Sequence, residues 1–129
     1  MIRALVMTHG QFGAELVRVV ELILGPIEGL SAMSNAGRSA QDLQRAVEAW
    51  LAEADGDEGE IVLIDDYGGS CANAAILACG DSPRRSIVSG VNLAMLLGYV
   101  TWRDRGDHGE LVSRIVQKGR EAITLVGGR

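Results

Sequence analysis

Two apolar runs end in residues able to do chemistry. Ile2-Arg3-Ala4-Leu5-Val6-Met7-Thr8 stops at His9-Gly10, and Ile61-Val62-Leu63-Ile64 stops at Asp65-Asp66-Tyr67-Gly68-Gly69-Ser70. A neutral imidazole carries one N–H and one lone pair. A carboxylate beside it keeps the proton on the near nitrogen and leaves the far nitrogen as a nucleophile or base. Gly68 and Gly69 let a backbone approach a ligand without side-chain clash. Ser70 stands where a helix opens, and helix N-termini present free N–H groups to anions. Its hydroxyl is suited either to capping that helix or to donating to a phosphate oxygen. Taken singly, His9 reads as a turn residue, Asp65-Asp66 as a turn and Ser70 as an N-cap. Brought to one crevice, a nucleophilic nitrogen, an orienting carboxylate and an anion cradle make a phosphoryl-accepting site.

Such a meeting requires the two runs to be neighbouring parallel strands, and the rest of the sequence supplies the pattern. Residues 2–8 read as a strand, 11–24 as an amphipathic helix ended by Gly25-Pro26, and 27–34 as a weaker strand interrupted by Gly29. Asn35-Ala36-Gly37 reads as a turn, and Ser39 with Asp42 resembles a capping box ahead of a helix over 40–54. A solvated loop follows over 55–59, then a strand over 60–65. Ser70 opens a helix that Gly80 ends, 85–89 is a short strand, and 92–102 is again helical. Asp107 and Glu110 form a second capping box, and 123–126 reads as an edge strand. This alternation predicts one α/β domain over residues 1–129, an open doubly wound sheet with helices on both faces. Ligands in such sheets bind beyond the carboxyl ends of the strands, where strand order reverses. With order 2-1-3-4 the reversal lies between the first and third strands, which end at His9 and Asp65.

Composition removes several classes of function. The chain has 129 residues, 47% of them apolar, and a net charge of −5. That is a globular composition without a nucleic-acid footprint. Its apolar stretches fall short of the roughly 18 residues a membrane span requires, and the first residues do not read as a signal peptide. The chain is expected to be cytoplasmic. Cys71 and Cys79, eight apart, form neither a redox CxxC pair nor a zinc half-site, and read as buried small apolar residues. His108, in Gly106-Asp107-His108-Gly109, is expected to be solvated, as are Arg84-Arg85 and Arg103-Asp104-Arg105. A Ser70–His9–Asp65 hydrolase is disfavoured because no G-x-S-x-G elbow surrounds Ser70. Neither G-x-G-x-x-G nor a P-loop supports a nucleotide or flavin module.

The pieces Thr8-His9-Gly10, Ile64-Asp65-Asp66-Tyr67-Gly68-Gly69-Ser70 with Asn73-Ala74-Ala75, Gly90-Val91-Asn92-Leu93 before Met95-Leu96, and Gly119-Arg120-Glu121 occur in that order along the whole chain. Together they resemble the enzyme IIA component of the mannose family of the bacterial phosphoenolpyruvate-dependent sugar phosphotransferase system. The resemblance implies four parallel strands in order 2-1-3-4 plus a C-terminal antiparallel strand, over 123–126, exchanged within a homodimer. It also implies a phosphotransferase component: His9 accepts a phosphoryl group from the phosphocarrier HPr and passes it to a IIB component, Asp65 orients His9, and Gly69 and Ser70 bind the phosphate. No metal or cofactor is expected, because the donor is a phosphohistidine. Contact with a membrane is expected only through a permease complex. The chain departs from the resemblance at Asp66-Tyr67, which stand for a common Thr-Trp pair and add a negative charge near the phosphate. It departs also at Cys71-Ala72, which stand for a frequent Pro-Phe pair, and at Ala94, which replaces a frequent proline. Transport, a regulatory phosphorelay and a dihydroxyacetone-kinase relay are all compatible with the resemblance.

Overall fold

Burial alternates along the strands and assigns each strand residue to one of two cores. The computed structural model describes residues 1–53 and 58–128. It contains β1 (Arg3–Thr8), α1 (Phe12–Leu24), β2 (Leu30–Ser34), α2 (Ala40–Ala52), β3 (Glu60–Ile64), α3 (Ser70–Cys79), β4 (Arg85–Ser89), α4 (Leu93–Trp102) and α5 (His108–Glu121). Ala4, Val6, Ile61, Leu63 and Val88 point to one face, where they meet Val20 of α1, Met95, Leu96 and Tyr99 of α4, and Leu111 and Ile115 of α5. Leu5, Met7, Val62 and Ile64 point to the other, against Leu43, Val47 and Trp50 of α2 and the small residues Cys71, Ala72, Ala74 and Ala75 of α3. β1 and β3 are buried on both sides, which explains why they read as unbroken apolar runs.

All four strands are parallel, in the order β2-β1-β3-β4. Right-handed crossovers with this order force α1 to one face and α2 and α3 to the other. The register sets Met7 opposite Ile64, so β1 and β3 end level with each other. Among the described residues no helix is long and apolar enough to cross a membrane.

Helix starts follow local chemistry. Ser39, Asn92 and Asp107 each accept the N–H three residues on with their side chains, at 3.1, 3.0 and 2.9 Å. The end of the second predicted helix at residue 54, and the loop residues 55–57, lie outside the described residues. α1 is capped from further away: Thr8 Oγ1 accepts the Gly13 N–H at 2.6 Å. A Cβ at Gly13 would stand 2.9 Å from that oxygen and 3.0 Å from the Val6 carbonyl oxygen. Gly13→Ala gains about 1 kcal/mol of helix propensity but forces α1 off β1, an overpacking cost of about 1–3 kcal/mol. A lowered midpoint of thermal unfolding is expected; a raised one would show that the helix and strand have room to part.

Several expectations are corrected. Residues 123–126 form no strand; they are irregular and exposed in the single chain, where four residues beyond α5 have no ladder partner. His108 is not solvated. It is the buried first residue of α5, its Nε2 donates to the Glu60 carbonyl at 3.1 Å, and its ring lies against Gly59. Arg103 is half-buried, with its guanidinium donating to the Glu28 carbonyl and, at 3.2 Å, to the Tyr99 hydroxyl. Tyr99 in turn donates to the Ile2 carbonyl at 2.6 Å, locking α4 to the start of the sheet. Arg85 lies 3.8 Å from the buried Glu60 carboxylate, which also has Arg3 at 3.9 Å.

Candidate functional site

The level ends of β1 and β3 bring His9 and Asp65 together. Asp65 Oδ2 accepts the His9 main-chain N–H at 3.0 Å, and His9 Nδ1 lies 3.0 Å from Oδ2 and 3.2 Å from Oδ1. Oδ1 also accepts the Asp66 N–H at 3.0 Å. The His9 side chain is 48% exposed and that of Asp65 16%, so the acid lies beneath a ring that faces solvent. Burial works against the Asp65 charge, but hydrogen bonds from the His9 main chain and ring, with the attraction of that ring, hold its carboxyl below the ordinary carboxylate range. An ionised carboxylate only accepts, so Nδ1 carries the hydrogen, and in the neutral ring the lone pair is on Nε2.

Thr8, Gly10 and Asn35, none of which their sequence context marks as a site residue, hold the histidine in place. Gly10 adopts φ +59°, which turns the chain sharply after His9. Asn35, just after β2, clamps this turn: its Oδ1 accepts the Gly10 N–H and its own N–H donates to the Thr8 carbonyl, both at 3.2 Å. Thr8 itself fixes the α1 end of the turn through Gly13. The available signal was positional, since Thr8 directly precedes the histidine and Asn35 follows the neighbouring strand.

The third side of the site is the start of α3. Gly69 is its N-cap, at φ +146° and ψ −165°, and Ser70 is its first residue. A Cβ at Gly69 would lie 3.8 Å from His9 Nε2, so the absence of a side chain here keeps the helix start open beside the ring. The first bond of the helix runs from the Asn73 N–H to the Gly69 carbonyl, which leaves the N–H groups of its opening turn without intrahelical acceptors. The Ser70 hydroxyl does not serve as the N-cap; it interacts with the neighbouring Cys71 thiol. All four residues singled out from sequence, His9, Asp65, Gly69 and Ser70, therefore lie at the ends of β1 and β3 and the beginning of α3. Asp66 and the exposed Tyr67 form the rim.

Comparison with known proteins leads in the same direction. The chain is 33% identical over 118 residues to the PTS system mannose-specific EIIAB component of Escherichia coli K12, a match covering 90% of this chain and 36% of that protein. It thus spans about a third of the length of the mannose-specific EIIAB relatives it matches. The crystal structure of phosphotransferase system component EIIA from Streptococcus agalactiae superposes with a TM-score of 0.88 at 26% identity, covering 97% of each chain. The mannose/sorbose specific IIA subunit from Enterococcus faecalis gives a TM-score of 0.83 at 28% identity, covering 99% of this chain and 96% of that one. Residues 3–116 match the family model EIIA-man, described as the PTS system fructose IIA component, and the chain belongs to that family of phosphotransferase-system IIA components.

Proposed function

We propose that the chain is a phosphocarrier that takes a phosphoryl group from phosphorylated HPr onto His9 Nε2 and hands it to a IIB component. The observation that carries this reading is the Asp65 carboxylate accepting both the main-chain N–H and the ring Nδ1 of one histidine. In the transfer, the Nε2 lone pair forms the new N–P bond as the donor's N–P bond breaks, and the donor imidazole leaves with that electron pair. The ring of His9 then holds a phosphoryl group on Nε2 and the hydrogen on Nδ1. Its gain of positive charge is met by Asp65 at hydrogen-bond distance. The phosphoryl oxygens come to the Gly69 backbone and the free N–H groups of the first turn of α3, with Ser70 as a further donor. No metal is required for this exchange between two nitrogens.

The decisive test is uptake of labelled phosphoryl from purified phosphorylated HPr. The expected product is one acid-labile, base-stable label per chain that is discharged by a IIB component. An unlabelled chain, or an acid-stable label, would overturn the reading.

A homodimer that orders residues 123–126 belongs to the same proposal. Ile123, Leu125 and Val126 are exposed apolar residues, and β4 is an edge of the sheet. Light scattering at the mass of two chains, falling to one when 123–126 are removed, is the expected result.

A further inference from the structure

The sequence offers no paired cysteines for metal binding, yet the fold assembles a mixed ligand set from three elements. His9 follows β1, Asp65 follows β3, and Cys71 lies in the first turn of α3. One imidazole nitrogen, one carboxylate oxygen and the Cys71 sulfur all lie within 4.8 Å of one another. We propose that His9, Asp65 and Cys71 form an inhibitory zinc site, in which Zn2+ and the phosphoryl group compete for the same imidazole.

Sulfur, nitrogen and oxygen donors together suit Zn2+ better than the hard cations, which prefer all-oxygen sites. A carboxylate and a thiolate supply two negative charges, matching the ion. A tetrahedral site with Zn–S about 2.3 Å and Zn–N about 2.0–2.1 Å sets sulfur and nitrogen about 3.6 Å apart, so these two atoms, within 4.8 Å of one another, need to close by about 1.2 Å at most. The His9 side chain is 48% exposed, which leaves solvent access for a water as the fourth ligand. On binding, the thiol releases its proton to buffer as the S–Zn bond forms, and the imidazole coordinates as a neutral ring.

Competition follows whichever ring nitrogen is used. Coordination through Nε2 occupies the lone pair that attacks phosphorus. Coordination through Nδ1 moves the ring hydrogen onto Nε2 and removes the lone pair there. Cys71 is buried beside this pair and has no part in the transfer chemistry described above, so the thiol gives the site a capacity that phosphoryl transfer does not need. The competition rests on the phosphocarrier reading; the metal site itself does not.

Zn2+ titrated calorimetrically into the full chain, in a buffer that does not bind metal, is expected to show one ion per chain. Cys71→Ala should weaken binding at least about tenfold, the loss seen when even an outer partner of a metal ligand is removed. Co2+ provides a readout that needs no variant at the site. The unmodified chain and Cys79→Ala should both show a thiolate-to-cobalt charge-transfer band, displaced by Zn2+. Saturating Zn2+ should stop phosphoryl uptake from phosphorylated HPr, and a chelator should restore it. Absence of stoichiometric binding, or a cobalt spectrum without the thiolate band, overturns the site. A bound metal with undiminished uptake overturns the competition. If the metal-free chain itself takes up no phosphoryl group, the phosphocarrier reading has failed, and the cobalt spectrum still decides the metal site.

Discussion

His9→Ala takes up no acid-labile phosphoryl group, and Asp65→Asn takes it up about 10²–10⁴ times more slowly than the unmodified chain. The first loss removes the acceptor atom. The second preserves size and leaves His9 in place but reverses the hydrogen bond. An asparagine amide can present its N–H₂ group to Nδ1, which then keeps its lone pair while the proton moves to Nε2, the nitrogen that must attack. Even with its oxygen toward Nδ1, the amide carries no charge to balance the phosphorylated ring. Stopped-flow or quenched-flow transfer from phosphorylated HPr measures the rate, and an Asp65→Asn rate within tenfold of the unmodified chain would contradict the assigned role. Acid stability provides a second view of the same carboxylate. Asp65 in the folded chain is held below its ordinary value of 3.8, so its contribution is complete above the unfolded pKa and is lost as pH falls through the lower folded value. Unfolding of the unmodified chain should therefore steepen with acid below about pH 4, and Asp65→Asn should lack that component.

Gly69→Ala is expected to lower uptake about 10- to 100-fold, corresponding to roughly 1–3 kcal/mol of strain or displacement at the site. Gly69 combines φ +146° with ψ −165°, a region essentially closed to residues with a Cβ. The new methyl would also sit 3.8 Å from Nε2, within contact reach of a phosphoryl group on that nitrogen. Either the backbone relaxes and withdraws the first turn of α3, or the methyl crowds the phosphate. Both outcomes spare the His9–Asp65 hydrogen bond, which a downfield Nδ1–H proton resonance reports. Retention of that resonance with slowed uptake is the expected combination; unchanged uptake would remove the start of α3 from the phosphate site.

The fold was legible because the signals were local. β1 and β3 are apolar on both faces, and the side chains at Ser39, Asn92 and Asp107 cap their own helices. The alternation of elements then limited the topology, and the level ends of β1 and β3 brought His9 and Asp65 to one point. What was not legible depends on distant partners. His108 stands in a polar stretch, but α5 folds back so that its first turn covers Glu60. Arg103 looks like a surface charge until α4 sets it against Tyr99 and the turn before β2. Asn35 reads as a turn residue, and only the pairing of β2 with β1 makes it a clamp on Gly10. Nor does the spacing of Cys71 and Cys79 reveal that the first of them lies beside His9 and Asp65.

Phosphoryl transfer at this site turns on which ring nitrogen of His9 is free. Phosphorylating the chain with isotopically labelled histidine and reading 31P and 15N resonances identifies the bonded nitrogen directly. Phosphorus on Nε2 of His9, with Nδ1 still protonated against Asp65, is the predicted result. Phosphorus on Nδ1, or on any other residue, would contradict it.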